Sequence, residues 1–225
     1  MKTIAVIPSF NAEKTITEVV KESSRHCGMV IVVDNNSKDA TGIKAFDAGA
    51  NVTGCDIQGA GAATRKGIEY ALKFNPSIIV TLDSDGQHRP SEIPLVVLQV
   101  EQNFADICIG SRVLCNYNMP LYRSFGNGVI NTVFNAGSRK WIKDTQSGFR
   151  AFTREVAEKV KIEENGFGFS TEFLLKARKR GFRIGECPIT CIYNNEFSQN
   201  STMNPIKHGI SVLTKTIEYR LKEVV

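Results

Sequence analysis

Ile78-Ile79-Val80-Thr81-Leu82-Asp83-Ser84-Asp85-Gly86-Gln87-His88 is an apolar, β-branched run that ends in two carboxylates one residue apart. The run reads as a buried strand, and the two acids as the loop that leaves it. In an open α/β sheet, ligands bind beyond the carboxyl ends of the strands. A pair of acids there can hold a hard divalent cation, Mg²⁺ or Mn²⁺, which takes oxygen ligands and is commonly shared with substrate phosphates. Alone, Asp-x-Asp is more readily an ordinary polar loop; its place after a buried strand brings the two readings level and makes it a candidate site.

Outward from this loop, strands and helices alternate. Strands are predicted at Thr3–Ile7, Met29–Val33, near Asn51-Val52, at Ser77–Leu82 and at Asp106–Gly110. Between them fall helices from Ala12 to about Arg25, with Asn11 as N-cap, from Gly42 to Ala48, from Gly59-Ala60-Gly61 to about Phe74, and from Pro90 to about Gln102. This alternation with short connections predicts a three-layer α/β/α domain around a mainly parallel central sheet. Beyond Arg112 the pattern changes: a helical stretch follows Tyr122, residues 144–150 are polar and compact, and a helix over Ser170–Arg180 precedes a strand over Arg183–Pro188. Residues 1–225 read as one domain. Its last element, 205–225, is an amphipathic helix with Ile206, Ile210, Leu213, Ile217 and Leu221 on one stripe.

The chain has 225 residues, 42% of them hydrophobic, and a net charge of +5. That bias suits anionic ligands such as nucleotides, lipid phosphates or an acidic membrane surface; with no block of Lys and Arg, nucleic acid is not an expected partner. The six cysteines form no C-x-x-C pair, so buried free thiols in a reducing compartment are expected rather than a zinc site. The amino terminus enters a strand directly and no apolar stretch is long enough to span a bilayer. The expected location is cytoplasmic, with any membrane contact peripheral.

Other residues carry candidate chemistry. Asp34 follows the second strand as Asp83 follows the fourth; a carboxylate there accepts hydrogen bonds from a base or ribose, or closes an Asx-turn with Asn35-Asn36-Ser37. Gly59-Ala60-Gly61 opens a helix bearing Arg65, a candidate for the nucleotide side, although the P-loop spacing is absent. Arginine clamps phosphate bidentately. Of Arg112, Arg123, Arg139 and Arg150, Arg112 is the strongest candidate because it directly follows a strand end. His88 lies beside the acidic loop, where a histidine is more often structural.

Val6-Ile7-Pro8-Ser9-Phe10-Asn11, Val32-Val33-Asp34-Asn35-Asn36-Ser37 and Asp83-Ser84-Asp85 together resemble the nucleotide-binding elements of the inverting glycosyltransferases of family 2, which have the GT-A fold. Phe10 and Ala12 stand where that family more often has tyrosine and an acid. Asp83-Ser84-Asp85-Gly86-Gln87-His88, Ile109-Gly110-Ser111-Arg112, Asp144-Thr145-Gln146-Ser147-Gly148-Phe149-Arg150 and Phe167-Gly168-Phe169-Ser170-Thr171-Glu172 look like the branch of dolichyl- and polyprenyl-phosphate sugar synthases. The resemblance implies that Pro8, Phe10, Asn11, Asp34, Asn36, Asp83 and Ser84 line a nucleotide-sugar site, to which Arg65 is added. It implies that Asp85, assisted by Gln87, holds Mg²⁺ or Mn²⁺, and that Arg112, Arg123 and Gln146 meet the acceptor phosphate. Asp85, Asp144 and Arg112 would be the catalytic set. Ser201-Thr202 stands where the branch often has Ser-Lys.

The implied reaction moves a sugar from a UDP-sugar or GDP-mannose to dolichyl or polyprenyl phosphate with inversion. A glycan hydroxyl is the alternative acceptor and would require a base, for which Asp144 is the candidate. A nucleotidyltransferase and a non-catalytic nucleotide-sugar binding module are further alternatives. The tail helix either lies on a membrane surface or docks on the core or another subunit.

Overall fold

The computed structural model describes residues 2–115, 121–192 and 205–224, with the side chains of 121–125, 205–208 and 222–224 outside that description. Seven strands form one sheet in the order β3-β2-β1-β4-β6-β5-β7. They are β1 Thr3–Ser9, β2 Met29–Asp34, β3 Asn51–Gly54, β4 Ile78–Thr81, β5 Ile107–Ser111, β6 Arg150–Thr153 and β7 Ile184–Pro188. The β1–β2, β1–β4, β2–β3 and β5–β7 pairs are parallel. This is the three-layer, largely parallel α/β/α architecture of GT-A proteins.

The period-two alternation of strand side chains divides the core. Ile4, Val6, Ile31, Val33 and Ile79 face one way. They meet α3 (Ala60–Leu72), the end of α5 (Leu121–Asn135), α6 (Arg154–Lys159) and α7 (Phe169–Lys179). Ala5, Ile7, Val30, Val32 and Val80 face the other way, against α1 (Ile16–Ser24), α2 (Thr41–Asp47) and α4 (Ile93–Glu101).

Three elements depart from the sequence reading: β6, α6, which that reading does not contain, and the start of α1. β6 is a strand that the polar reading of 144–150 did not foresee. It is inserted antiparallel between β4 and β5, pairing Thr81 with Arg150 and Ile109 with Arg150. Four residues beginning with a charged one carry too little alternation to register as a strand. Asn11 is not a helix cap: it sits in the left-handed region at φ 50°, its Oδ1 accepts from Lys38 N at 2.9 Å, and α1 begins only at Ile16. Asparagine tolerates this conformation better than most residues, so the chain turns toward the β2 loop before the helix starts.

The tail helix α8 (Pro205–Val224) packs against α5 and α7. Val212 and Thr216 are buried, and Thr216 Oγ1 donates to Thr171 Oγ1 at 3.0 Å. Much of the apolar stripe points away from the core, with Ile210 60% and Leu221 65% exposed. No helix among the described residues is long and apolar enough to cross a membrane.

Gly67 marks the tightest helix–sheet contact. A Cβ there would collide with Val6 Cγ1 and lie 2.9 Å from Val33 Cγ2. Alanine gains about 1 kcal/mol in helix propensity, but overpacking costs about 1–3 kcal/mol. Gly67→Ala is therefore expected to lower the urea unfolding midpoint; an unchanged or higher midpoint would contradict so close an approach of α3 to the sheet.

Candidate active site

Chain direction in the sheet reverses its progression at β1, which has β2 on one side and β4 on the other. A crevice forms beyond the carboxyl ends of strands at such a switch point, and most of the candidate residues gather there. On the β1–β2 side, Asn11 N donates to Ser37 Oγ at 3.0 Å, and Ser37 N donates to Asp34 Oδ1 at 3.0 Å. The second bond holds the turn expected at Asp34, with the side chain capping a backbone N–H three residues on rather than the two of a simple Asx-turn. Phe10 and Asn36 are exposed, while Pro8 and Asp34 are half-buried. The buried Asn35, beside them, fastens this loop to the 55–59 segment: its Nδ2 donates to Cys55 O and Ile57 O and its Oδ1 accepts from Gly59 N at 2.7 Å.

The acidic loop continues β4. Thr15 Oγ1 donates to Ser84 O at 2.6 Å, which turns the Ser84 side chain inward, where it is buried. Asp85 Oδ1 accepts from Gln87 N at 2.9 Å. Asp83 sits in a crowded recess that solvent still enters; 48% of its side chain remains exposed. A Cβ on Gly148 would lie 2.6 Å from Asp83 Oδ1, so the carboxylate rests against a backbone that only glycine leaves open. His88 is buried against Phe149, with Nδ1 3.4 Å from Asp83 Oδ2 and without a hydrogen bond among the described residues.

The charges in this recess push one another. Desolvation raises the Asp83 pKa against the pull of Arg112 and Arg150. Desolvation, followed by repulsion from Asp83, raises that of Asp85. Burial and then the Arg112 charge lower His88 to about 4, so its ring is neutral at physiological pH. Two like charges crowded together with hard oxygen donors and a neutral imidazole favour a divalent cation on chemical grounds. Among the described residues no three His, Cys, Asp or Glu side chains group as a complete metal site, so further ligands would have to come from outside that set, as substrate phosphates do for Mg²⁺.

Behind the acids lies an ion pair. Arg112, at the end of β5, grips Asp144 with two parallel bonds of 2.8 Å from Nε and Nη2, and its backbone N adds a third at 2.9 Å. Asp144 is 1% exposed. Burial works against its charge, but the attraction and hydrogen bonds of Arg112 prevail and hold its pKa below the usual value. Glu186 of β7 receives the backbone N–H of Lys143 and Asp144, and Asn131 of α5 receives Thr145. Gln146 Nε2 donates to Thr145 Oγ1 at 3.2 Å. Arg150, buried below, donates to Thr145 O and Ser170 O. Burial lowers its pKa to about 10, which leaves it charged.

Two expectations land elsewhere. The N-terminus of α3 is closed by Asn165, whose carbonyl accepts from Gly61 N and Ala62 N at 2.8 and 3.1 Å. Gly59 and Gly61 serve this close approach, since a Cβ on either would strike the 164–166 backbone. Arg65 follows suit, donating to Ile162 O, Glu163 O and Asn165 Oδ1. Glu172, fully buried, anchors the same loop by accepting from Glu163 N, Glu164 N and Lys176 Nζ. The side chain of Arg123 and residues Ser201-Thr202 lie outside the described residues. Sequence reading passed over Gly148 and left Arg150 among the arginines ranked below Arg112. The antiparallel β6 that carries both to the acids was the missing signal.

Comparison with known proteins places this architecture. The family model described as glycosyl transferase family 2 matches residues 4–161. An uncharacterized protein of Methanocaldococcus jannaschii is 35% identical over 223 residues, covering 96% of this chain and 91% of its own. The UDP-N-acetylglucosamine–dolichyl-phosphate N-acetylglucosaminyltransferase of Methanococcus voltae is 29% identical over 244 residues, covering 97% and 96%. In fold, the chain is similar to glucosyl-3-phosphoglycerate synthase of Mycobacterium tuberculosis, solved with Mn²⁺, UDP and glucosyl-3-phosphoglycerate. The TM-score is 0.77 at 19% identity, over 99% of this chain and 79% of that one. With a fold, an acidic loop at the sheet's switch point and a family match that agree, the chain belongs to glycosyl transferase family 2 and is a glycosyltransferase.

Proposed function

We propose that this single GT-A domain transfers a sugar from a nucleoside diphosphate sugar to a polyprenyl or dolichyl monophosphate, with inversion and with a divalent cation. The observation that carries the choice of acceptor is the state of the buried carboxylates. A hydroxyl acceptor needs a general base. Asp144 is bound on both oxygens by Arg112 and held below the usual pKa, and Glu172 is bound on both oxygens by backbone N–H groups and Lys176. Neither is placed to take a proton. A phosphate monoester is already an anion at neutral pH and needs none. The relative from Methanococcus voltae, named for a dolichyl-phosphate acceptor and a UDP donor, supports the same reading and a UDP-sugar before GDP-mannose.

In this reading Pro8, Phe10, Asn11, Asp34 and Asn36 receive the nucleoside, and Asp83, steadied against Gly148 and His88, accepts hydrogen bonds from donor hydroxyls. Asp85 with Gln87 holds Mg²⁺ or Mn²⁺, which when bound supplies positive charge toward the leaving diphosphate. Arg112, already fixed by Asp144, meets the acceptor phosphate together with Arg123 and Gln146. Ser84 and Arg65 act through the backbone, one setting the acidic loop and the other the 162–165 loop. The chain works at the cytoplasmic face of a membrane, where the exposed stripe of α8 meets lipid.

Radiolabelled UDP-N-acetylglucosamine, UDP-glucose and GDP-mannose, supplied with Mn²⁺ and either polyprenyl phosphate or oligosaccharides, test the proposal. Acid-labile sugar on the lipid is expected; transfer to oligosaccharide alone, or release of pyrophosphate, would contradict it. Asp85→Asn is expected to lower turnover about a hundredfold or more without lowering the melting temperature, because it removes one of two crowded charges. Retained turnover in that variant would remove the metal from the account.

Asp144→Asn leaves Arg112 without its counter-ion and is expected to cost about 3 kcal/mol or more at neutral pH. The folded pKa of Asp144 is depressed, so its contribution is present above the unfolded value of about 3.9 and is lost as pH falls through the folded one. Urea unfolding should therefore show the gap between wild type and variant closing in strong acid. A gap independent of pH would contradict the ion pair.

A further inference from the structure

A second concave site lies outside the acidic recess. It occupies about 510 Å³ between the end of α5, α7 and α8, and is lined by Gly137, Ser138, Arg139, Lys140, Arg178, Lys179 and Arg220. No carboxylate lines it among the described residues. Its five cations equal the whole net charge of +5 carried by the chain, so the remaining charges balance elsewhere. The site shares no residue with the candidate active site. Lys140 meets β7 at its first residue, donating to Ile184 O at 2.7 Å, whereas Asp144 meets the same strand further along at Glu186.

The cations divide into two kinds. Arg178 and Arg220 are held in place. Arg178 stacks 4.3 Å from the Phe134 ring centroid and donates to Ser138 Oγ and Phe134 O, and Arg220 donates to Ala136 O. These contacts neutralise the negative end of α5 and fix both guanidinium groups at the pocket wall. Capping accounts for those two, and the bond to Ile184 O for Lys140. Neither accounts for Arg139 and Lys179, which are exposed and meet no carboxylate among the described residues. Arg139 and Lys179 add positive charge beside the two fixed guanidinium groups, and such a concentration of cations attracts an anion. Fixed guanidinium groups flanked by exposed cationic side chains match a tetrahedral oxyanion with several acceptor oxygens.

We propose that this pocket binds a phosphate group, supplied by an anionic lipid headgroup or by a soluble phosphate compound. Arg178 and Arg220 form its wall, and Arg139 and Lys179 close over the ligand. The proposal stands apart from the catalytic reading, because it involves none of the same residues and its test does not read turnover.

The test uses the full chain in chelator, with Arg139→Ala/Lys179→Ala as the variant and Lys21→Ala, an exposed cation of α1, as control. Calorimetric titration with inorganic pyrophosphate probes the soluble source. Co-sedimentation with phosphatidylcholine vesicles, with and without phosphatidylglycerol, probes the lipid source. Binding that weakens about tenfold or more in the double variant and is unchanged in Lys21→Ala is expected. Loss confined to phosphatidylglycerol vesicles assigns the phosphate to lipid; loss confined to pyrophosphate assigns it to a soluble compound. Absence of binding to both ligands, binding indifferent to the double variant, or equal loss in the control would overturn the proposal.

Discussion

A buried ion pair between Arg112 and Asp144 fixes the floor of the acidic recess. Arg112 belongs to the end of β5 and Asp144 to the segment that leads into β6, so the pair ties two neighbouring strands of the sheet at their loop ends. The same segment delivers Gly148 to the flank of Asp83 and Arg150 to the space below. Breaking such a pair leaves a buried charge unmatched, and everything the segment positions would shift with it. The arrangement also sets the chemistry. Asp144 is held as a fully bonded anion, which suits it to orienting an arginine and unsuits it to removing a proton.

Much of this was legible in the chain itself. β4 and its loop read correctly because a buried parallel strand needs an uninterrupted apolar run, and the Asp34 turn read correctly because Asp-Asn-Asn-Ser offers little but turn chemistry. The parts that escaped are those in which meaning depends on a distant partner. Four residues of β6 become a strand only because β4 and β5 leave a slot for them. Gly59 and Gly61 look like an anion cradle in sequence and turn out to admit the carbonyl of Asn165, more than a hundred residues along. Arg65 and Glu172 are drawn to that same loop. For Asn11, a cap signal was overridden by a left-handed turn that joins two loops.

The proposed donor chemistry lies at the carboxyl ends of β1, β2 and β4, and the molecule adds two features at its other regions. The exposed stripe of α8 and the basic pocket beside it are both consistent with work next to an anionic, apolar phase. Neither duplicates the acidic recess, whose residues lie on other elements.

The central claim is that Asp85 and a donor diphosphate share one divalent cation. Electron paramagnetic resonance of Mn²⁺ titrated into the protein, with and without UDP, tests it most directly. Tight retention of Mn²⁺ that requires UDP in the wild type and disappears in Asp85→Asn is the expected result. Retention that ignores UDP, or that survives the loss of Asp85, would contradict the account.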